Sequence, residues 1–169
     1  MVKYSALLGS CMLLVELLMA SECIIEIPKV IHLVYHDWSP TPTPGALPQS
    51  YLPEWRGSFN VFMGDSWKIE TWDASRSRDF IEEAYPDFLL TYDSYPLPIQ
   101  RVDAVRYFIL HAHGGVYADL DYEVLGDLSV LLCSAKVALS LRGESEALGV
   151  QNSLMASTPG HPFWETVIR

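Results

Sequence analysis

Two carboxylates, Asp119 and Asp121, close the run Gly114-Gly-Val-Tyr-Ala-Asp-Leu-Asp121. The alternation from Val116 to Asp121 predicts a strand. Val116, Ala118 and Leu120 share one face of it; Tyr117, Asp119 and Asp121 share the other. At a rise of about 3.3 Å per residue, the two carboxylates lie roughly 7 Å apart. One divalent ion and the oxygens of a bound phosphate bridge such a gap. Hard ions such as Mg²⁺ and Mn²⁺ take oxygen ligands and commonly share one or two carboxylates with substrate phosphates. Acidic strand ends are common, so Asp-x-Asp says little by itself. Its neighbourhood says more: Asp103 and Arg106, three apart on a helix-like run just upstream, can share a face. Taken plainly, Asp103 is a first-turn acid favoured by the helix dipole and Arg106 its surface partner.

The elements that must position these groups follow from periodicity. Gln100 to His113 reads as a helix whose buried face carries Val102, Val105, Ile109 and Ala112,. Gly114 and Gly115 stop it, because glycine tolerates the left-handed backbone of a helix C-cap. Ile24 to Tyr35 is a β-rich, almost continuously apolar run with Pro28 at its start, which suits a central parallel strand. Trp67 to Trp72 alternates as a second strand, and Asp73 and Ser75 suit the start of a helix over Arg76 to Tyr85. Pro86 ends or re-aims that helix.

The proline-rich stretch Trp38 to Pro53 is loop, and Glu54 to Phe62 allows a short helix. Beyond Asp121 the strand is expected to run on to Leu125 and break at Gly126. A small helix at Val130 to Leu132, a strand at Val137 to Leu141, a strand or turn at Gly149 to Ser157 and a helix from Phe163 to Arg169 complete the chain. Alternating strands and helices argue an α/β sheet with helices on both faces. Ligands in such sheets bind beyond the strand C-termini, at a switch in strand order.

A chain of 169 residues, half of them hydrophobic, suits one globular domain with a sizeable core,. A net charge of −10 argues against a general nucleic-acid binder, which needs a basic stripe over the phosphates,. Three cysteines, Cys11, Cys23 and Cys133, make no disulfide framework,. A buried free thiol is the default for Cys133; pairing with Cys23 in an oxidising lumen is the alternative. Residues 1–22 read as a signal peptide or membrane anchor, with Lys3 ahead of an apolar run and small residues at Ala20 and Ser21. Glu16 counts against a span, and the run is at the short limit for one. The remaining residues, 23–169, form the domain.

Ile99-Gln-Arg-Val-Asp-Ala-Val-Arg-Tyr-Phe-Ile-Leu-His-Ala-His-Gly-Gly-Val-Tyr-Ala-Asp-Leu-Asp121 resembles the glycosyltransferases with the DxD sugar-binding region. That family includes fungal α-1,6-mannosyltransferases and the catalytic subunits of inositol phosphorylceramide mannosyltransferase. Ile27-Pro-Lys-Val-Ile-His32, Gly149-Val-Gln-Asn-Ser-Leu-Met155 and Gly160-His-Pro-Phe163 resemble the second group.

The resemblance implies a GT-A-like, Rossmann-related mixed sheet flanked by helices, C-terminally truncated at Arg169. It implies metal-dependent transfer of a hexose, mannose from GDP-mannose, to a lipid or glycan hydroxyl such as inositol phosphorylceramide. Mn²⁺ or Mg²⁺ would sit on Asp121 and Asp119. Asp119 would also contact the ribose, with Asp103 near the ribose and Arg106 near the donor sugar or phosphates. Tyr35 would stack on the base, Tyr117 would bond a phosphate oxygen and Asn152 would touch a sugar. His32 reads as structural. No catalytic base is assigned, and retaining enzymes of this kind often lack an obvious one. The setting implied is a Golgi or endoplasmic reticulum membrane, attached through the N-terminus, with the domain in the lumen and a regulatory membrane subunit as partner. The alternative is a truncated, inactive donor-binding or partner protein of the same fold.

Two other chemistries fit less well. In haloacid dehalogenase-type phosphohydrolases the residue four after the first Asp is Thr or Val, and here it is Glu123. A calcium loop from Asp119 lacks the glycine at its sixth position, where Val124 stands,.

Overall fold

In the computed structural model, residues 24–37, 66–142 and 149–169 are described. The N-terminal segment 1–22, Trp38 to Pro53 and Glu54 to Phe62 lie outside them.

Five strands form one mixed sheet in the order β2-β1-β3-β5-β4. Strand β1 (Val30–Val34) lies between β2 (Lys68–Trp72) and β3 (Gly115–Ala118) and runs parallel to both. The apolar run that predicted a central parallel strand therefore sits at the middle of the parallel half. Strands β4 (Val137–Arg142) and β5 (Gly149–Ser157) form an antiparallel pair that docks on the free edge of β3. The chain moves outward from β1 to β2, then returns to β3 on the other side of β1. The crevice beyond the C-terminal ends of β1 and β3 is thus the switch point at which open sheets bind ligands.

Alternation sorts the core onto two faces. Ile31 and Leu33 of β1, Val116 and Ala118 of β3 and Ala156 of β5 point to one side. Val34, Tyr117 and Met155 point to the other, where all four described helices contribute residues. These are α1 (Ala74–Ala84), α2 (Pro86–Ser94), α3 (Pro98–His113) and α4 (Pro162–Val167). Among the described residues the first face is covered by irregular chain and a short 3-10 turn instead of α-helix: Ile25, Leu120, Tyr122, Leu128 and Leu132 pack there.

Local chemistry explains the boundaries. Asp73 caps α1 by accepting from the Arg76 amide at 2.8 Å,. Pro86 does end α1, but it also occupies the first turn of α2, where a missing N–H costs nothing,. That helix was not expected from the sequence. Pro98 does the same for α3. On α3, Val102, Val105 and Ile109 are buried as predicted, while Ala112 is exposed. The expected helix at Val130 to Leu132 is a short 3-10 turn two residues earlier, Leu128–Val130.

Gly114 and Gly115 do more than cap α3. Both have positive φ, 62° and 88°, and a Cβ on Gly115 would stand 2.6 Å from the Val30 carbonyl oxygen. His32 is structural, as read: its Nδ1 accepts from the Trp72 indole at 3.1 Å. Its Nε2 therefore carries the proton and donates to the Gly114 carbonyl at 3.0 Å,. Burial pushes this imidazole down to about 4, so it stays neutral,. Cys133 departs from the buried-thiol expectation: it is exposed and disulfide-bonded. The other two cysteines lie outside the described residues. Among the described residues no helix is long and apolar enough to cross a membrane.

Candidate active site

Strand β3 stops at Ala118, before both carboxylates and well short of the expected end at Leu125, and this changes how the carboxylates are held. Asp119 follows the strand and donates its amide to the Ser153 carbonyl at 2.8 Å. Leu120 and Asp121 then form a turn, in which the Tyr122 amide reaches the Asp119 carbonyl at 3.3 Å. Asp119 and Asp121 are therefore not two teeth of one strand face. The turn still brings both to the wall of one cavity, of about 430 Å³, at the C-terminal ends of β1 and β3.

Tyr35 and His36, on the loop after β1, line this cavity, as do Asp103 and Arg106 of α3 and Asn152 of β5. Six of the seven residues singled out in the sequence thus meet at one place. The seventh, Tyr117, lies beneath it. It is 1% exposed, and its hydroxyl donates to Asp119 Oδ1 at 2.5 Å. The expectation that Tyr117 bonds a phosphate oxygen is corrected: its one hydroxyl proton is committed to Asp119.

Arg106 joins the parts. Reading it as a surface partner of Asp103 fails, because it is 2% exposed. It lies one turn after Val102 and so shares the buried face of α3. Its guanidinium binds Asp103 Oδ1 at 2.6 Å and Asp119 Oδ1 at 3.3 Å, and donates to the Asn152 carbonyl at 2.8 Å. It also lies over the Tyr117 ring, 4.5 Å from its centroid,. A buried cation needs such compensation. Arg106 in turn fixes how a helix, a strand end and a distant strand face the cavity.

Asn152 reaches the site through an irregularity. Leu139 pairs with Met155, but Ser140 pairs with Gln151, so Asn152, Ser153 and Leu154 are skipped by β4. The freed stretch bends toward α3, as bulges do. The Asn152 amide then donates to the Tyr107 hydroxyl at 3.1 Å.

The two acids differ electrostatically. Burial raises the Asp119 carboxyl above its ordinary value, and the charges of Asp121 and Asp103 push the same way. The Tyr117 hydrogen bond and Arg106 pull it back,. Both of those partners use Oδ1. Asp121 is exposed and makes no hydrogen bond or ion pair among the described residues. Among the described residues no three His, Cys, Asp or Glu side chains come together as a ready-made metal cage. A pair of carboxylates beside an open cavity nevertheless fits a hard cation that completes its shell with water and phosphate oxygens.

Sequence reasoning passed over His36. It is 3% exposed, and its Nε2 lies 3.2 Å from the buried Ser77 hydroxyl. A lone histidine in a loop gives no signal, since its setting depends on a serine 41 residues away in sequence.

Residues 53–138 match the family described as glycosyltransferase sugar-binding region containing DXD motif. Inositol phosphoceramide mannosyltransferase 2 of Schizosaccharomyces pombe is 34% identical over 145 residues, covering 85% of this chain and 38% of that protein. Mannosyl phosphorylinositol ceramide synthase CSH1 of Saccharomyces cerevisiae is 37% identical over 143 residues, covering 85% of this chain and 35% of that protein. The chain therefore spans little more than a third of the length of these relatives. Among solved structures, the PaToxG glycosyltransferase superposes with a TM-score of 0.53 at 13% identity, over 84% of this chain and 59% of that one. That likeness concerns the fold alone.

Proposed function

The chain belongs to the family of glycosyltransferases whose sugar-binding region contains the DXD motif, and from that membership we propose that it transfers a hexose from a nucleoside diphosphate donor to a hydroxyl acceptor. The observation that carries the reading is the convergence of Asp103, Asp119 and Asn152 on the buried Arg106, at the switch point of the sheet.

Each residue then has a task. Tyr35, beside the end of β1, offers a ring on which the base stacks. Asp103 keeps half its surface exposed despite its bond to Arg106 and can accept from a ribose hydroxyl. Arg106 sets a fixed positive charge behind the phosphates, where negative charge grows as the bond from sugar to phosphate oxygen breaks. Asp121, exposed and unpaired among the described residues, with Asp119 behind it, would hold Mn²⁺ or Mg²⁺. When bound, such an ion offsets the charge of the leaving diphosphate and orients it. Tyr117 and Arg106 hold Asp119 still while it does so.

The finer reading takes GDP-mannose as donor and a lipid or glycan hydroxyl, in particular inositol phosphorylceramide, as acceptor. The names of the two fungal relatives support the mannosyl group and the inositol phosphorylceramide acceptor. A lumenal setting in the Golgi or endoplasmic reticulum, on a membrane and beside a regulatory membrane subunit, belongs to the same reading. The disulfide at Cys133 supports it, because such bonds persist in oxidising compartments,.

Asp121→Asn tests the proposal. Transfer of labelled mannose by membranes carrying the variant should fall by about a hundredfold or more, with the circular dichroism spectrum unchanged. Normal turnover would sink the assignment. Binding of donor without transfer by the unaltered chain would favour the alternative of an inactive donor-binding protein.

A further inference from the structure

The chain that leaves Asp121 crosses the first face of the sheet and sorts its apolar residues two ways. Val124 and Leu132 turn inward and join the core. Leu125, Val130 and Leu131 turn outward and are 77, 76 and 73% exposed. Scattered aliphatic residues on a surface need no explanation. Three on one short stretch, beside the turn that covers the core, form a patch of the kind that marks an interaction surface.

A fourth exposed aliphatic residue, Ile24 at 64%, belongs to the same region. Its carbonyl accepts from the Ser134 amide at 2.9 Å. The residue before Ser134, Cys133, is disulfide-bonded. The other cysteines of the chain, Cys11 and Cys23, both precede Ile24. Either one, as partner, ties the apolar N-terminal segment to the domain beside this patch. The surface therefore lies where the stretch read as a membrane anchor or signal joins the fold.

The composition of the patch selects the occupant. Protein interfaces draw their binding energy mostly from Trp, Tyr and Arg, with Leu and Val under-represented. Here the exposed groups are aliphatic. The nearby charges balance: Lys136 pairs with Glu26 at 3.6 Å, and Lys29 lies close enough to Asp127 for its charge to be felt there. Aliphatic side chains among lysines that can reach up to headgroups suit the boundary layer of a bilayer, with no demand for anionic lipid.

We infer that Leu125, Val130 and Leu131, with Ile24, form a second membrane contact that lays the first face of the sheet against the bilayer. Leu125 is four residues from Asp121, so at most about 14 Å of chain separates the inserted side chain from the exposed carboxylate at the cavity. The contact thus holds the cavity within reach of the headgroup layer. Its use in presenting a lipid acceptor rests on the transfer reading above; contact with the bilayer does not.

The test uses the full chain in phosphatidylcholine vesicles that contain a phosphatidylcholine with a photoreactive acyl chain. After illumination, labelled peptides are mapped. The unaltered chain should carry label between residues 121 and 136. Val130→Glu combined with Leu131→Glu should cut that label at least tenfold, because two carboxylates replace the apolar area that inserts. Leu125→Glu, a separate variant, should cut it about threefold or more. All three side chains are exposed, so the circular dichroism spectrum should not change. No label in the stretch, label unchanged in both variants, or loss of the folded spectrum in both overturns the inference. A dimer that the double variant splits would assign the surface to a second copy and overturn it too. Labelling is read without turnover, so each of these failures leaves the transfer reading standing, and loss of transfer in Asp121→Asn says nothing against the contact.

Discussion

Arg106 on α3 and Asp119 at the end of β3 meet at 3.3 Å, and through that contact a helix and a strand hold one another in register at the cavity floor. Arg106 also holds Asp103 and the Asn152 carbonyl. Removing the guanidinium therefore strands two acids and a carbonyl at once. Arg106→Ala should cost about 3 kcal/mol, the scale for a broken buried pair, and should lower the denaturant midpoint. Arg106→Lys should rescue little, because one ammonium cannot span three acceptors in a fork. A stability loss below about 0.5 kcal/mol in Arg106→Ala would show that the cluster is not holding the site.

Tyr117→Phe removes one hydroxyl and keeps the ring under Arg106. The loss should be about 1 kcal/mol. The more telling result is a titration of Asp119 followed by carbon-detected NMR. The Tyr117 hydrogen bond is the strongest influence holding that carboxyl down, so the variant should titrate at a higher pH. A downward move would mean that the hydroxyl does not serve Asp119.

Acid should loosen the fold through its buried imidazoles. His32 stays neutral in the folded chain down to about pH 4, against 6.5 for an ordinary histidine. Between those values the unfolded chain binds the extra proton, so stability rises with pH across that window. The contribution is complete above pH 6.5 and is lost as pH falls toward 4, on the order of 3 kcal/mol in all. His36 acts in the same direction. The melting temperature at about pH 5 should lie several degrees below that at about pH 7.5, and His32→Gln should flatten the slope. A slope that is equally steep in His32→Gln would assign the effect elsewhere.

Non-reducing peptide mapping should recover Cys133 joined to another cysteine of the chain, Cys11 or Cys23. Reduction, or Cys133→Ser, should lower stability by about 2–4 kcal/mol. Recovery of Cys133 as a free thiol from the secretory lumen would contradict the bond.

Much of this was legible before any coordinates. Period two placed Val116 and Ala118 opposite Tyr117, and period 3.6 placed Val102, Val105 and Ile109 in the core. What period cannot show is where a ladder ends. The residues after Ala118 keep alternating, yet Asp119 leaves the strand, because β3's antiparallel pairing with β5 runs out at the Ala118–Leu154 pair. Pro86 carried two meanings, stop and start, and only packing of Phe88 and Tyr92 against α3 selects the second. Arg106 looked like a surface charge because burial of a cation depends on partners as distant as Asn152, 46 residues on. His36 left no trace at all, since nothing local marks it. Six of the residues named from the resemblance, Tyr35, Asp103, Arg106, Asp119, Asp121 and Asn152, line one cavity regardless.

Strand order also has a cost during synthesis. Strand β3 leaves the ribosome well before β5, which supplies its only neighbour on that side. Until residues 149–157 emerge, the nascent protein offers a bare row of amides and carbonyls, from Gly115 onward, that another copy can zip onto. Translational pausing just ahead of Gly149 would prolong that exposure, and co-translational chaperone capture should peak there.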